Sequence, residues 1–211
     1  MCDEDRYQIE KYLKFYLILE TEMLQMPLET FIDEVVSAGV TAIQLRDKNL
    51  DVNQRVKNGE IILKSLKNRD TLLVINDRID LALSLGVNAV HLGAKDIPLK
   101  VAKEIFKEFT FGYSCNNLED LLTARDAGAH YIGVGPAFWT DTKKDLREVL
   151  GPDGIKNLLS NTNIPAVAIG GISSENVHLL RNTGICGIAI SSAVCKSKTP
   201  GKEVLKILSK L

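Results

Sequence analysis

The 211-residue sequence contains no apolar stretch approaching the ~20 residues of a membrane-spanning helix. Its start, MCDEDRYQIEKYLKFY, is too charged to supply the apolar core of a secretion signal. There is no excess of charge of one sign: 26 Lys and Arg stand against 27 Asp and Glu. That balance removes the electrostatic case for a nucleic-acid or membrane-surface partner, while leaving room for a local cluster that binds a small anion. Cysteine is sparse, and Cys2, Cys115, Cys186 and Cys195 form neither a C-x-x-C pair nor a zinc spacing. Reduced thiols and a cytoplasmic location are therefore expected. Pro/Gly/Ser-rich linkers are absent too, so one domain spanning residues 1–211 is expected.

Short β-rich runs are present, alternating with longer stretches of helical spacing. The runs are Phe15–Leu19, Ala42–Arg46, Leu72–Asn76, Ala89–Leu92, Thr110–Ser114, Tyr131–Gly135, Ala166–Gly170 and Gly187–Ser191. Amphipathic stretches at Leu28–Ala38, Val52–Lys67 and Leu118–Ala127 lie between them. Gly39, Gly86, Gly128 and Gly184 fall where helices would end, and glycine takes the left-handed cap conformation without steric penalty. Eight strand–helix units in succession imply parallel strands with crossover helices. No glycine-rich dinucleotide fingerprint follows the first strand, so a closed (β/α)8 TIM barrel of the α/β class is expected over an open doubly wound sheet.

Chemistry in such a barrel belongs at the C-terminal ends of the strands, and polar residues recur there. The second strand runs out through Gln44-Leu45-Arg46-Asp47-Lys48. Alternation points Gln44, Arg46 and Lys48 the same way, a set suited to a multiply charged anion. A solvated surface cluster is the bland alternative. The third strand ends Asn76-Asp77, and Asp96 follows the fourth; two carboxylates at adjacent strand ends can share a hard cation. Either could instead be a cap or turn residue. His91 reads as a satisfied core group, and Cys115 as a core or rim thiol. Ser114 ends the fifth strand as a hydrogen-bond donor. Gly135-Pro136 opens a long loop containing Trp139-Thr140-Asp141-Thr142-Lys143, which reads as a ligand-binding lid. Gly170-Gly171 and Ile190-Ser191, after strands seven and eight, occupy the recurrent phosphate position of this fold.

Taken in order, these residues resemble the thiamine-phosphate synthase family, from about residue 15 to 200. The resemblance implies an enzyme that condenses 4-amino-2-methyl-5-(diphosphooxymethyl)pyrimidine with 4-methyl-5-(2-phosphooxyethyl)thiazole, releasing diphosphate. It implies that Gln44, Arg46, Lys48, Asn76, Ser114 and Lys143 bind the pyrimidine diphosphate. Asp77 and Asp96 would hold magnesium. Thr140 and Thr142, with the backbone around Gly171, Ile190 and Ser191, would bind the thiazole phosphate, and Asp141 would be a further substrate-binding residue. Arg46, Lys48 and Lys143 would stabilise the departing diphosphate. A homo-oligomer is compatible with the sequence. Three positions depart from the family pattern: Ala94 where Gln is usual, Asn116 in place of a frequent His, and Trp139 in place of Pro. A related thiazole tautomerase is the nearest alternative, but it carries His after the sixth-strand glycine where Pro136 stands here. A non-catalytic sensor of a thiamine phosphate is the other.

Overall fold

Eight short strands, nearly all of their residues buried, follow directly from the apolar runs. They are β1 (Phe15–Leu19), β2 (Ala42–Leu45), β3 (Leu72–Asn76), β4 (Ala89–Leu92), β5 (Thr110–Cys115), β6 (Tyr131–Val134), β7 (Ala166–Ile169) and β8 (Gly187–Ile190). The computed structural model describes residues 3–140 and 148–211, with side chains from Gln8 onward. Strands enclosed on both faces can be continuously hydrophobic, which is why FYLIL and AVAI show no polar alternation. Each strand pairs in parallel with the next, and β1 pairs with β8, so the sheet closes into a barrel. Because every strand runs the same way, all eight C-terminal ends meet at one mouth.

The helices are α1 (Asp3–Leu13), α2 (Leu28–Ser37), α3 (Val52–Ser65), α4 (Ile79–Leu85), α5 (Leu99–Ile105), α6 (Leu118–Asp126), α7 (Gly151–Leu159), α8 (Ser192–Cys195) and α9 (Pro200–Leu208). Helix α2 buries Phe31, Ile32 and Val35, one stripe at helical spacing. Asp51 caps α3 by accepting from the Gln54 amide at 3.0 Å, and Asn117 caps α6 by accepting from the Asp120 amide at 2.8 Å. Gly39, Gly86, Gly128 and Gly184 all take positive φ, as expected for chain-reversing positions.

Three differences from the sequence expectation have physical causes. The ends of several strands retract by one residue: Gly170 takes φ +95° and Ser191 takes ψ −93°, both outside extended geometry. Arg46 still donates to the Leu19 carbonyl at 2.8 Å, but a tight turn from Lys48 N to Arg46 O ends β2 there. The connection from β7 to β8 carries only a 3-10 turn, Val177–Leu180, so that unit lacks an α-helix. The charged start forms α1 ahead of the barrel, where Leu13 is buried. The chain passes so close to β8 there that a Cβ on Gly187 would lie 2.1 Å from the Leu13 carbonyl oxygen.

Candidate active site

The strand register assembles the mouth. Leu19 is opposite Leu45, so the next residues, Glu20 and Arg46, emerge side by side. Arg46 Nη1 lies 2.5 Å from Glu20 Oε1, with both side chains mostly buried. Glu20 was not singled out from the sequence; its importance appears only once β1 and β2 are known to be neighbours in register. Asp47 turns the other way and is buried. It accepts from Thr21 N at 2.6 Å, Thr21 Oγ1 at 2.8 Å and Asn58 Nδ2 at 2.8 Å. That cluster fixes the turn leaving β2, and Arg55 adds to it by donating to the Lys48 and Leu50 carbonyls. Lys48 is thereby directed across the mouth, where its Nζ lies 2.7 Å from Asp77 Oδ2.

Asp77 leaves β3 with φ +61°, while its amide donates to the His91 carbonyl at 2.9 Å. It does not cap α4: the residue at that position is Arg78, which makes no side-chain capping bond. Asp96 Oδ2 accepts from the Gly93 amide at 2.7 Å, which turns the loop after β4 back toward Asp77. The two carboxyl groups meet. Burial works to raise the Asp77 carboxyl, but the Lys48 ammonium, Asp96 and Asn76 outweigh it and hold it below the usual carboxylate range. For Asp96, burial and the Asp77 charge beside it prevail over the Gly93 N–H, and its carboxyl is raised. Two adjacent carboxylates, one with a raised proton affinity, form a site that a divalent cation would relieve. The donors are oxygens and few, which suits magnesium with water and substrate phosphate completing its shell. Among the described residues, no group of three or more His, Cys, Asp or Glu side chains forms a fuller cage.

Beneath this rim, Gln44 is buried and donates from Nε2 to the Tyr16 hydroxyl at 2.8 Å. Ser114 Oγ lies 2.9 Å from His91 Nε2, so His91 is indeed a satisfied interior group. Cys115 is buried.

The far side of the mouth is built by the connections after β6, β7 and β8. Ala137 N donates to Ile169 O at 2.7 Å and Phe138 N to Gly170 O at 3.0 Å, extending the pairing of β6 and β7 into their loops. Gly171 sits tightly there. With φ +66°, an added Cβ would lie 2.5 Å from Trp139 O and 2.7 Å from Phe138 O. Its need for glycine therefore comes first from the neighbouring backbone. Asn176 secures the turn by donating to the Gly171 carbonyl and accepting from the Ser173 amide, both at 2.8 Å. Ile190 is buried at the end of β8. Ser191 Oγ is buried without a nitrogen or oxygen partner among the described residues, and the Cys195 thiol lies beside it.

Thr140 lies at the edge of the described loop, and Asp141, Thr142 and Lys143 fall outside the described residues. Asn116, one of the departures, has a visible role. Its Nδ2 donates to Gly135 O and to Glu148 O, each at 2.9 Å, while Leu150 N donates to Pro136 O at 2.9 Å. Trp139 is 74% exposed at this mouth.

Residues 15–194 match the family model described as thiamine monophosphate synthase. The thiamine-phosphate synthase of Pyrococcus furiosus is 36% identical over 202 residues, covering 94% of this chain and 96% of its own length. That of Clostridium novyi is 36% identical over 186 residues, covering 87% and 91%. A solved thiamine phosphate pyrophosphorylase from Pyrococcus furiosus superposes with a TM-score of 0.86 at 33% identity, covering 95% of this chain and 96% of that one. The 3-hexulose-6-phosphate synthase of Salmonella typhimurium, with a TM-score of 0.73 and 20% identity over 94% of this chain and 98% of that one, shares the barrel fold.

Proposed function

Because the chain belongs to the thiamine monophosphate synthase family, we propose that it condenses the aminopyrimidine methyl diphosphate with the thiazole phosphate, giving thiamine phosphate and diphosphate. The observation that carries this reading is the cluster of Lys48, Asp77 and Asp96 at adjacent strand ends. It pairs a cation for a leaving diphosphate with an acidic pair suited to a hard metal. In this reading the full chain is one catalytic domain.

The bond from the pyrimidine methylene carbon to the diphosphate oxygen breaks first, and negative charge grows on the leaving group. Arg46, Lys48 and Lys143 stabilise that charge, in a site where oriented cations act more strongly than they do in water. Magnesium, held by Asp77 and Asp96, supplies further charge neutralisation when bound. Asn76 and Ser114 contact the pyrimidine diphosphate alongside Gln44. The thiazole nitrogen then supplies the electron pair that forms the new bond to the methylene carbon. Thr140, Asp141, Thr142, the backbone at Gly171 and Ile190, and Ser191 hold the thiazole phosphate for that attack. No protein nucleophile is needed, and water must be kept out until the bond forms. Pro136 carries no ionisable group at the place where the related tautomerase has its histidine, which favours condensation over proton shuffling.

The direct test is formation of thiamine phosphate from the two purified phosphates. Turnover should require magnesium, and Asp77→Asn or Asp96→Asn should lower it at least ~10²-fold. Full activity in excess chelator would overturn the metal assignment, and binding of both phosphates without product would favour a sensor.

A further inference from the structure

We infer that Tyr16, Tyr131 and His91 form one hydrogen-bonded unit that fixes how Gln44 and Ser114 present themselves to the substrate ring. The inference rests on the reading that Gln44 and Ser114 face the aminopyrimidine. The unit crosses the interior of the barrel. Gln44 Nε2 lies 2.8 Å from Tyr16 Oη, which is 2.8 Å from Tyr131 Oη. Tyr131 Oη is 3.2 Å from His91 Nδ1, and His91 Nε2 is 2.9 Å from Ser114 Oγ. Both phenols are buried, and burial pushes them above the ordinary tyrosine range, so each stays neutral with one proton to donate.

Space for the unit is built into the backbone. A Cβ on Gly112 would lie 2.2 Å from Tyr131 Cζ and 2.5 Å from His91 Nδ1. A Cβ on Gly133 would make only ordinary contact, 3.4 Å from His91 Cε1. One strand position, Gly112, thus goes without a side chain where the imidazole and phenol meet, although glycine weakens a strand interior.

The orientation of the Gln44 amide then fixes the direction of every bond in the unit. Gln44 donates to Tyr16, so the Tyr16 proton passes to Tyr131 and the Tyr131 proton to His91 Nδ1. The neutral imidazole must carry its proton on Nε2 and donate it to Ser114. That leaves the Ser114 hydroxyl hydrogen to point elsewhere, toward the mouth, and leaves the Gln44 carbonyl to accept. Rotating the Gln44 amide reverses every bond and moves the imidazole proton to Nδ1. Any mixture of the two directions strands a buried phenol proton or sets two lone pairs face to face, which burial penalises. In either direction the two ends offer one donor and one acceptor, never two alike. An aminopyrimidine edge, with its amino donor and ring-nitrogen acceptor, needs one of each.

The tautomer of His91 reports the direction without substrate. The protein has three histidines, so ring-nitrogen NMR of the labelled protein is tractable. In the wild type, His91 should be neutral with its proton on Nε2. Tyr16→Phe, which removes a hydroxyl that His91 does not touch, should leave His91 a mixture of tautomers, and Tyr131→Phe should do the same. KM for the pyrimidine diphosphate should rise roughly tenfold, the worth of a hydrogen bond, with KM for the thiazole phosphate unchanged. Thermal melts establish that each variant is folded. If only one folds, it decides alone. A wild-type tautomer persisting in the folded variants would overturn the proposal, as would a changed tautomer with KM for the pyrimidine diphosphate unaltered. Absence of condensation by the wild type would instead overturn the functional reading, and the tautomer would then judge the unit by itself.

Discussion

Lys48 Nζ lies 2.7 Å from Asp77 Oδ2, so a cation of the protein already covers one of the two carboxylates assigned to magnesium. In the proposed reaction, magnesium would have to compete with this lysine for Asp77 until a diphosphate arrived to take up both charges. Lys48→Ala should therefore move two quantities in opposite directions. Magnesium binding to the free protein should tighten, because the acidic pair loses its internal counter-charge. Turnover should fall by about 10²-fold, because the leaving group loses a stabilising cation. Calorimetric metal titration and steady-state assay together check this, and a loss of both would mean that Lys48 supports the metal site.

Arg46 gives a graded counterpart. Arg46→Ala should slow the chemical step by about 10²-fold while sparing thiazole phosphate binding. Glu20→Gln keeps the guanidinium but loosens its hold, and a smaller defect, about tenfold, is expected from imperfect orientation. Single-turnover rates distinguish the two. Equal defects would show that Glu20 acts on more than Arg46.

Gly171→Ala should destabilise the protein even without ligand. Forcing a side chain into the left-handed region costs about 1–2 kcal/mol, and here the Cβ would also press on the carbonyl oxygens of Trp139 and Phe138. Denaturant unfolding measures the loss, and thiazole phosphate titration of the folded fraction shows what the phosphate loop loses. Unchanged stability would mean that the loop after β6 moves away at little cost.

Trp139 is the only tryptophan, so intrinsic fluorescence reports one residue. It is largely exposed in the free protein. Saturation with a pyrimidine diphosphate analogue and thiazole phosphate should shift its emission to shorter wavelength as the indole leaves water. Trp139→Pro should keep the reaction, since no charge or proton role falls to the indole. An unshifted spectrum with binding shown by another method would mean that the loop does not close through Trp139.

Cys195 is fully buried, and burial pushes its thiol up to about 12. The reactive form is the thiolate, scarce at pH 8 for such a group. Thiol reagents should leave Cys195 unlabelled in the native protein and label it on unfolding, as peptide mapping would show. Rapid native labelling would reveal ready opening of the segment around α8.

The barrel was legible because strands buried on both faces must be apolar along their whole length, and eight such runs left little choice. The polar residues that close each run placed the mouth equally directly: Arg46, Lys48, Asp77 and Asp96 all sit where the runs ended. What stayed hidden depends on partners. Glu20 is one acidic residue among many until Leu19 is set opposite Leu45. The partners of Asp47, Thr21 and Asn58, are equally invisible until the turn leaving β2 is seen. The pairing of Tyr16 with Tyr131 stayed hidden, because periodicity reports which face a residue occupies and not whom its hydroxyl meets. The 3-10 turn before β8 was missed because a helix and a shorter turn can place the same apolar residues, Val177 and Leu180, inward.

Asn116 joins Gly135 to Glu148, and Pro136 accepts from Leu150, so the chain leaves the barrel and returns to it at a single anchored base. Changing the length of a segment whose two ends are already held together alters mainly its closure entropy, about 0.6 kcal/mol for each doubling. The stretch after β6 is in this sense a cassette. Its length could change at that small closure cost, provided that the asparagine clasp, the pairing of Ala137 and Phe138 with the loop after β7, and the residues proposed to meet substrate all remain.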